Sequence, residues 1–161
     1  MLGEASIAVP AGMTFVPLDF ESKTLVAGLT EAGFDAGMPA FFGWLGVIPY
    51  LTLEAFRATL GAIGQMPKGS GVGFDYALAP ETLTPAGRIA FDALADRVAA
   101  AGEPFQLLFT PDALASELRR AGFHRFEQLG SEQLNEIYFK ERADGLRLSA
   151  VGLGMLVTAW V

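Results

Sequence analysis

The chain has 161 residues, 52% of them hydrophobic and 18% charged, which suits one packed domain and excludes intrinsic disorder. Eleven basic against eighteen acidic residues give a net charge of -7, which excludes a basic surface for nucleic acid. The absence of cysteine excludes disulfide bonds and thiolate ligands for a metal.

Neither end of the chain has the pattern of a membrane or secreted protein. The N-terminal residues carry no positive charge before Lys23 and no long apolar run, unlike a secretory signal. The apolar stretch from Leu148 to Val161 is shorter than the roughly 20 residues that a spanning helix needs. We therefore expect a cytoplasmic protein that has no membrane or nucleic-acid partner.

Strand and helix signals alternate along the chain. Strands are predicted at residues 14–18, 40–47, 71–76 and 123–129, with a brief apolar run at 105–109 and a final strand or two within 146–161. The helices between them have clear start signals, with caps predicted at Thr52, Thr84, Thr110 and Ser131. The second helix has an apolar stripe at Leu53, Phe56, Leu60 and Ile63. This order predicts an α/β domain with a mostly parallel sheet, helices on both faces and an antiparallel final strand.

Candidate site residues follow from the rule that such sheets bind ligands beyond the carboxyl ends of their strands. Asp19 either accepts a hydrogen bond from an adenine or ribose, or caps the following helix. Asp75 and Tyr76 either line a substrate pocket or belong to an ordinary turn. The segment FFGWLGVIPYLT, residues 41–52, has a backbone suited to a flat ligand, although core packing also explains rings such as Trp44.

The remaining polar candidates have simpler interpretations. His124 is the single histidine and opens a strand, so we expect it to be structural. Arg119 and Arg120 are expected in a solvated last helical turn, where they favour the helix dipole. No Ser-His-Asp triad can be argued from the single histidine, and no metal-ligand spacing or phosphate-binding glycine loop is found.

Several motifs in order resemble the leucine carboxyl methyltransferases and the polyketide-type O-methyltransferases grouped with them. They are FVPLDFESKTLVAGLTEAGFDAGMPAFFGWLGVIPYLT, GSGVGFDY, GEPFQLLFTPDALASELRRAGF and YFKERADGLRL. The resemblance implies a Rossmann-like class I fold that binds S-adenosylmethionine and transfers its methyl group to an oxygen of a small-molecule acceptor. It implies that Asp19 and Phe20 lie at the adenine end and that the loop after Phe42, with Trp44, Leu45 and Gly46, closes over the cofactor. The positions of Tyr50, Asp75 and Tyr76 at or after strand ends make them the candidate substrate residues.

The chain departs from that family at its start. The family has a glycine-rich cofactor loop and a ribose-binding acid upstream of the strand matching residues 14–18, and residues 1–13 contain neither. We therefore expect residues 1–161 to form the C-terminal portion of a methyltransferase domain that lacks its first two strands. The missing N-terminal half or a second copy of the chain is the expected partner. The alternatives are a methyltransferase impaired by truncation and a non-catalytic remnant that self-associates or binds another protein.

Overall fold

The computed structural model describes residues 8–18 and 23–161. The chain divides into two compact units, Met1–Ala36 and Gly37–Val161. The first unit contains helix α1 (Leu25–Glu31). The second contains strands β1 (Phe41–Trp44), β2 (Gly71–Ala77), β3 (Arg125–Leu129) and β4 (Gly154–Trp160), and helices α2 (Leu53–Gly64), α3 (Pro85–Ala100), α4 (Pro111–Arg120) and α5 (Ser131–Tyr138). Short 3-10 turns lie at Ile48–Tyr50 and Pro80–Thr82.

In the first unit, the strand predicted at residues 14–18 is not formed. Helix α1 begins as expected, because the Thr24 hydroxyl accepts a hydrogen bond from the Ala27 amide at 3.4 Å. Leu18 packs on this helix, with its side chain against Gly28. The prediction of a strand was wrong because a strand needs a hydrogen-bonded neighbour, and no pairing partner for residues 14–18 occurs among the residues that the structure describes.

The second unit is built on a four-stranded sheet in the order β1-β2-β4-β3. Strands β1 and β2 are parallel, whereas β4 is antiparallel to both of its neighbours. Strands β1, β2 and β3 therefore run in one direction, and the final strand runs against them. This confirms the mostly parallel sheet with an antiparallel last strand, and it leaves β1 at an edge of the described sheet.

The core of this unit lies on one face of β2. Val72, Phe74 and Tyr76 are each at most 1% exposed and alternate along the strand, so they point to the same side. The ring of Phe56 from α2 packs against this face, 6.2 Å from Phe74 and 5.1 Å from Phe109 between ring centres. Of the predicted stripe on α2, Phe56, Leu60 and Ile63 are buried, whereas Leu53 remains 37% exposed.

Three of the four predicted helix caps are confirmed. The hydroxyls of Thr52, Thr84 and Thr110 each accept a hydrogen bond from the amide three residues later, at 3.1 to 3.2 Å. Ser131 is instead the first residue of α5, and Gly130 is its N-cap. The Gly130 amide donates to the Gln133 side chain at 3.1 Å, which replaces a serine cap. No helix in residues 8–18 and 23–161 combines the length and apolarity that crossing a membrane requires.

The final apolar stretch is only partly a strand. Strand β4 covers Gly154–Trp160, and residues 146–153 form a loop. Asn135 of α5 binds this loop at both backbone groups of Leu148, accepting from its amide at 2.7 Å and donating to its carbonyl at 2.9 Å. Because the Leu148 backbone is bonded to a side chain, these groups are not available to a β ladder.

Helix α2 ends against the end of α4 with very little space between them. A Cβ placed on Gly64 would lie 1.9 Å from the carbonyl oxygen of Ala121, which is backbone and cannot swing away. Gly61, one turn earlier in α2, has open space at its Cβ position. Packing therefore requires a glycine at position 64. No contact in the described structure requires one at position 61.

Replacing these two glycines should have opposite effects on stability. Gly64→Ala should lower the free energy of unfolding by about 2–3 kcal/mol, because a backbone shift must relieve the clash. Gly61→Ala, the matched control, should raise it by about 0.5–1 kcal/mol through helix propensity. Urea denaturation followed by circular dichroism measures both, and equal effects would contradict the close approach of α2 and α4.

Glu117 joins α4 to α2 through a charged cluster. Its carboxylate is 11% exposed and accepts two hydrogen bonds from Arg57 and one from Arg120, all at 2.8 Å. The hydrogen bonds from Arg57, with the nearby charge of Arg120, hold the pKa of Glu117 below its usual range. Arg119 and Arg120 lie exposed in the last turn of α4, as predicted. From there Arg120 also donates to Glu117, and Arg119 lies over the Phe126 ring at 5.2 Å.

The Glu117 cluster should make stability depend on pH in a defined direction. Because folding lowers the pKa of Glu117, its stabilisation is present above the unfolded pKa of about 4.3 and is lost as pH falls through the folded value. Glu117→Gln should therefore cost about 1–2 kcal/mol at pH 7, and the difference from the unchanged chain should shrink in acid. Glu103→Gln, in an exposed turn, is the control, and a pH-independent difference would contradict the argument.

Candidate functional site

The loop after β1 has an unusual backbone at the carboxyl edge of the sheet. Gly46 has a φ of 71°, in the left-handed region that favours glycine, and its Cβ position faces open space. Leu45 beside it is 64% exposed, and Val47 is 36% exposed. Two apolar side chains and an uncovered backbone therefore face outward at an edge where parallel sheets bind ligands.

A hydrogen bond connects this loop to the end of β2. The Gly46 amide donates to Oδ1 of Asp75 at 2.6 Å. Gly46 is expected to bind the cofactor, and Asp75 is expected to bind the substrate. The hydrogen bond shows that these two residues are neighbours in the fold. Since an ionised acceptor strengthens a hydrogen bond, Asp75 helps to hold the loop in its left-handed turn.

Trp44 and Tyr50, also predicted in the site, have packing roles. The Trp44 ring stacks on Phe56 at 5.8 Å with 11° between the planes, which favours the core-packing interpretation. Tyr50 packs on Phe105 at 5.7 Å, and its carbonyl accepts from the Gln106 side chain at 2.9 Å. Their ligand contacts stay predictions.

Tyr76 follows Asp75 and points to the opposite face of β2. Its ring is 1% exposed, and its hydroxyl donates to Oε1 of Gln128 at 2.7 Å. Burial raises the pKa of Tyr76 to about 12, so the phenol stays neutral at physiological pH. This geometry favours a structural role for the Tyr76 ring. The end of β2 that contains Tyr76 also borders a cavity.

A cavity of about 800 Å³ opens at the carboxyl end of β2. Its lining combines that strand end with helix α5, one residue of α3, the loop before β4 and the start of β4. The residues are Asp75, Tyr76, Ala90, Ser131, Leu134, Tyr138, Phe139, Leu148, Ser149, Val151, Gly152, Leu153, Gly154, Met155 and Leu156. Of the predicted substrate residues, it includes Asp75 and Tyr76 and does not include Tyr50.

Sequence reasoning missed most of this cavity, because the segment after α5 was interpreted as strand. Leu134 and Tyr138 are four residues apart in α5, which was the available signal for an apolar stripe. His124 is exposed and is not among the residues that line this cavity. Asp19 and Phe20, predicted at the adenine, lie outside the described residues.

The sequence is similar to known methyltransferases. Residues 1–64 match the leucine carboxyl methyltransferase family. YktD of Bacillus subtilis, whose name assigns it to the S-adenosyl-L-methionine-dependent methyltransferases, is 31% identical over 148 residues, which are 90% of this chain and 48% of YktD. The resemblance inferred from the motifs is thereby confirmed, and the chain spans about half the length of this curated relative.

A solved structure shares the fold. The crystal structure of a DUF574 family protein from Streptomyces avermitilis matches with a TM-score of 0.50 and 15% identity. The match covers 83% of this chain and 50% of that protein. Together with the mixed sheet, it confirms the predicted α/β fold of the Rossmann-like class I type.

The left-handed turn at Gly46 can be tested without any ligand. Gly46→Ala should lower the free energy of unfolding by about 1–2 kcal/mol, because a Cβ is strained at positive φ even where space is open. Gly43→Ala is the matched control, since Gly43 lies in β1 with open space and no positive φ. Thermal denaturation compares the two, and an equal loss at both positions would contradict a role for the turn.

Proposed function

We propose that this chain is part of an S-adenosylmethionine-dependent methyltransferase that methylates an oxygen atom of a small molecule. The observation that carries the proposal is the 2.6 Å hydrogen bond between Gly46 and Asp75. This hydrogen bond joins the loop expected to bind the cofactor to the strand end expected to bind the substrate. Methyl transfer needs those two ligands side by side, and the likeness to YktD over 90% of the chain supports the same chemistry.

The loop after β1 fits one side of the cofactor. Leu45 offers an exposed apolar surface, and the open space at Gly46 leaves room for a flat ring against the backbone. These two residues would hold the adenine end. The glycine-rich loop and the ribose-binding acid of the family are not found in residues 1–13, so the proposal for this chain is limited to the loop after β1.

The residues at the carboxyl edge would contribute positioning and exclusion of water. S-adenosylmethionine supplies a methyl group carried on a positively charged sulfur. Asp75 fixes the loop through Gly46, and the apolar cavity walls would shield one side of the acceptor from water. Holding two reactants in contact promotes transfer in such a site. As the O–C bond forms and the S–C bond breaks, a hydroxyl acceptor must lose its proton, and Asp75 is the lining carboxylate that would take it.

Calorimetric titration with S-adenosylmethionine and S-adenosylhomocysteine tests the cofactor proposal. We expect saturable binding of both, lost in Asp19→Ala if the resemblance assigns that residue correctly. Leu45→Ser should weaken binding about five- to tenfold, since it removes apolar surface from the adenine contact. Ile89→Ser is the matched control, because Ile89 is 73% exposed on α3 and lies outside the proposed site.

The outcomes of this titration separate the two main interpretations. Binding that Leu45→Ser weakens and Ile89→Ser leaves unchanged supports a cofactor site in this chain. An absence of heat at millimolar ligand would overturn cofactor binding by this chain alone and would favour a non-catalytic remnant. Equal weakening in both variants would contradict the placement of the adenine on the loop after β1.

The edge of the sheet supports a second candidate function, association with another polypeptide. Strand β1 is last in the sheet order, and Phe41 on it is 61% exposed while its ring lies across Gly71 and Gly73 of β2. An exposed aromatic ring on the last strand of the described sheet is a surface that proteins normally protect. A second copy of the chain, or the N-terminal half that the family resemblance implies, would cover it.

Self-association can be measured by light scattering after gel filtration. We expect a dimer or larger species, which Phe41→Lys shifts toward monomer by placing a charge on the edge. Met38→Lys, at a residue that is 60% exposed and precedes β1, is the control and should leave the assembly unchanged. A clean monomer at all concentrations, with little dye-accessible apolar surface, would contradict self-association.

A further inference from the structure

The cavity at the carboxyl end of β2 is suited to an apolar small molecule. Its volume of about 800 Å³ lies within the roughly 300–1,000 Å³ of small-molecule sites in proteins. Much of its wall is hydrocarbon from α5 and the segment leading into β4, including Leu134, Leu148, Val151 and Leu156. The body of a ligand that fits here should therefore be apolar.

The charge inside the cavity comes from one side chain. Among the described residues that line it, Asp75 alone carries a charge. Its Oδ1 accepts the Gly46 amide, which fixes the carboxylate at the wall. Ser131 and Ser149 also line the cavity, and their hydroxyls can donate or accept hydrogen bonds.

The basic residues of the neighbouring segment face acids of their own. Lys140 donates to Glu136 at 2.5 Å, and Arg142 donates to Asp144. The hydrogen bond from Lys140 and the charge of Arg147 lower the pKa of Glu136. These pairings offset the charges of Lys140 and Arg142, and Arg147 is not a lining residue, so Asp75 is the charged side chain at the cavity wall.

We propose that this cavity binds the methyl acceptor and that the acceptor is an apolar molecule with a hydroxyl or amino head group, not a carboxylate. A hydroxyl can donate a hydrogen bond to Asp75, and an ammonium can pair with it, whereas a second carboxylate is repelled. That the ligand is the methyl acceptor depends on the proposed methyl transfer. Its chemical class depends only on the lining of the cavity. Of the carboxyl and hydroxyl acceptors expected from the sequence, the cavity favours the hydroxyl, and an amino head group would bind there without being the methylated atom.

Three probes that share an apolar body test the head-group preference. They are 4-butylphenol, 4-butylbenzylamine and 4-butylbenzoate, each titrated into the protein by nuclear magnetic resonance. We expect amide shifts at Ser131, Ser149 and Gly152, and binding of the benzoate at least about tenfold weaker than that of the other two, which corresponds to roughly 1.4 kcal/mol. Ala90→Phe, which adds bulk at the cavity wall, should weaken all three probes.

The Asp75→Asn variant separates charge from shape. Its amide oxygen can still accept the Gly46 amide, so the loop keeps its tie while the negative charge is removed. The disadvantage of the benzoate should fall to within about twofold of the phenol. Glu103→Gln removes the same charge at an exposed turn and should leave the tenfold preference intact.

Three outcomes would overturn this proposal. They are equal binding of the benzoate and the phenol by the unchanged chain, shifts that map away from the cavity, and no binding of any probe at millimolar concentration. None of them bears on S-adenosylmethionine binding, which the calorimetric titration measures separately. If S-adenosylmethionine does not bind but the probes bind selectively, the cavity is a ligand site and the methyl-transfer proposal is wrong.

Discussion

The alternation of side chains along β2 is the constraint on which the rest of the second unit depends. Because successive residues point to opposite faces, Val72, Phe74 and Tyr76 are placed in the core by the same geometry that keeps Asp75 out of it. A shift of the register by one residue would bury the aspartate and expose the two aromatic rings. Core and candidate site are therefore specified by one seven-residue segment.

The central position of β2 converts this alternation into a site. Strand β1 is parallel to it on one side and β4 antiparallel on the other, so the loop after β1 and the entry to β4 both lie at its carboxyl end. The Gly46 amide reaches Asp75 from one side, and Gly154 and Leu156 bring the cavity wall from the other. A polar group thus lies between an exposed loop and an apolar cavity, an arrangement typical of small-molecule sites.

The same sheet leaves one part of the unit incompletely covered. The face with Phe74 is packed by the Phe56 ring, while Phe41 lies over glycines and is largely exposed. The high apolar content of the chain agrees with a surface that is covered in a larger assembly.

The sequence by itself determined the elements whose signals are local. Thr52, Thr84 and Thr110 cap their helices because a hydroxyl and an amide three residues later meet without help from the rest of the chain. The strands at Phe41 and Gly71 and the resemblance to methyltransferases were also recognisable, since apolar runs and motifs are contiguous. Asp75 was selected as a site residue from its place at a strand end.

Only the tertiary structure decided the features that need distant partners. Residues 14–18 have strand composition but no hydrogen-bonded neighbour, and residues 146–153 form a loop that Asn135 holds from α5. The cavity combines segments from Asp75 to Leu156, so no short motif encodes it. Backbone pairing and cavity walls are contacts between remote parts of the chain, whereas caps and alternation are contacts within a few residues, and only the second kind can be inferred from a single sequence.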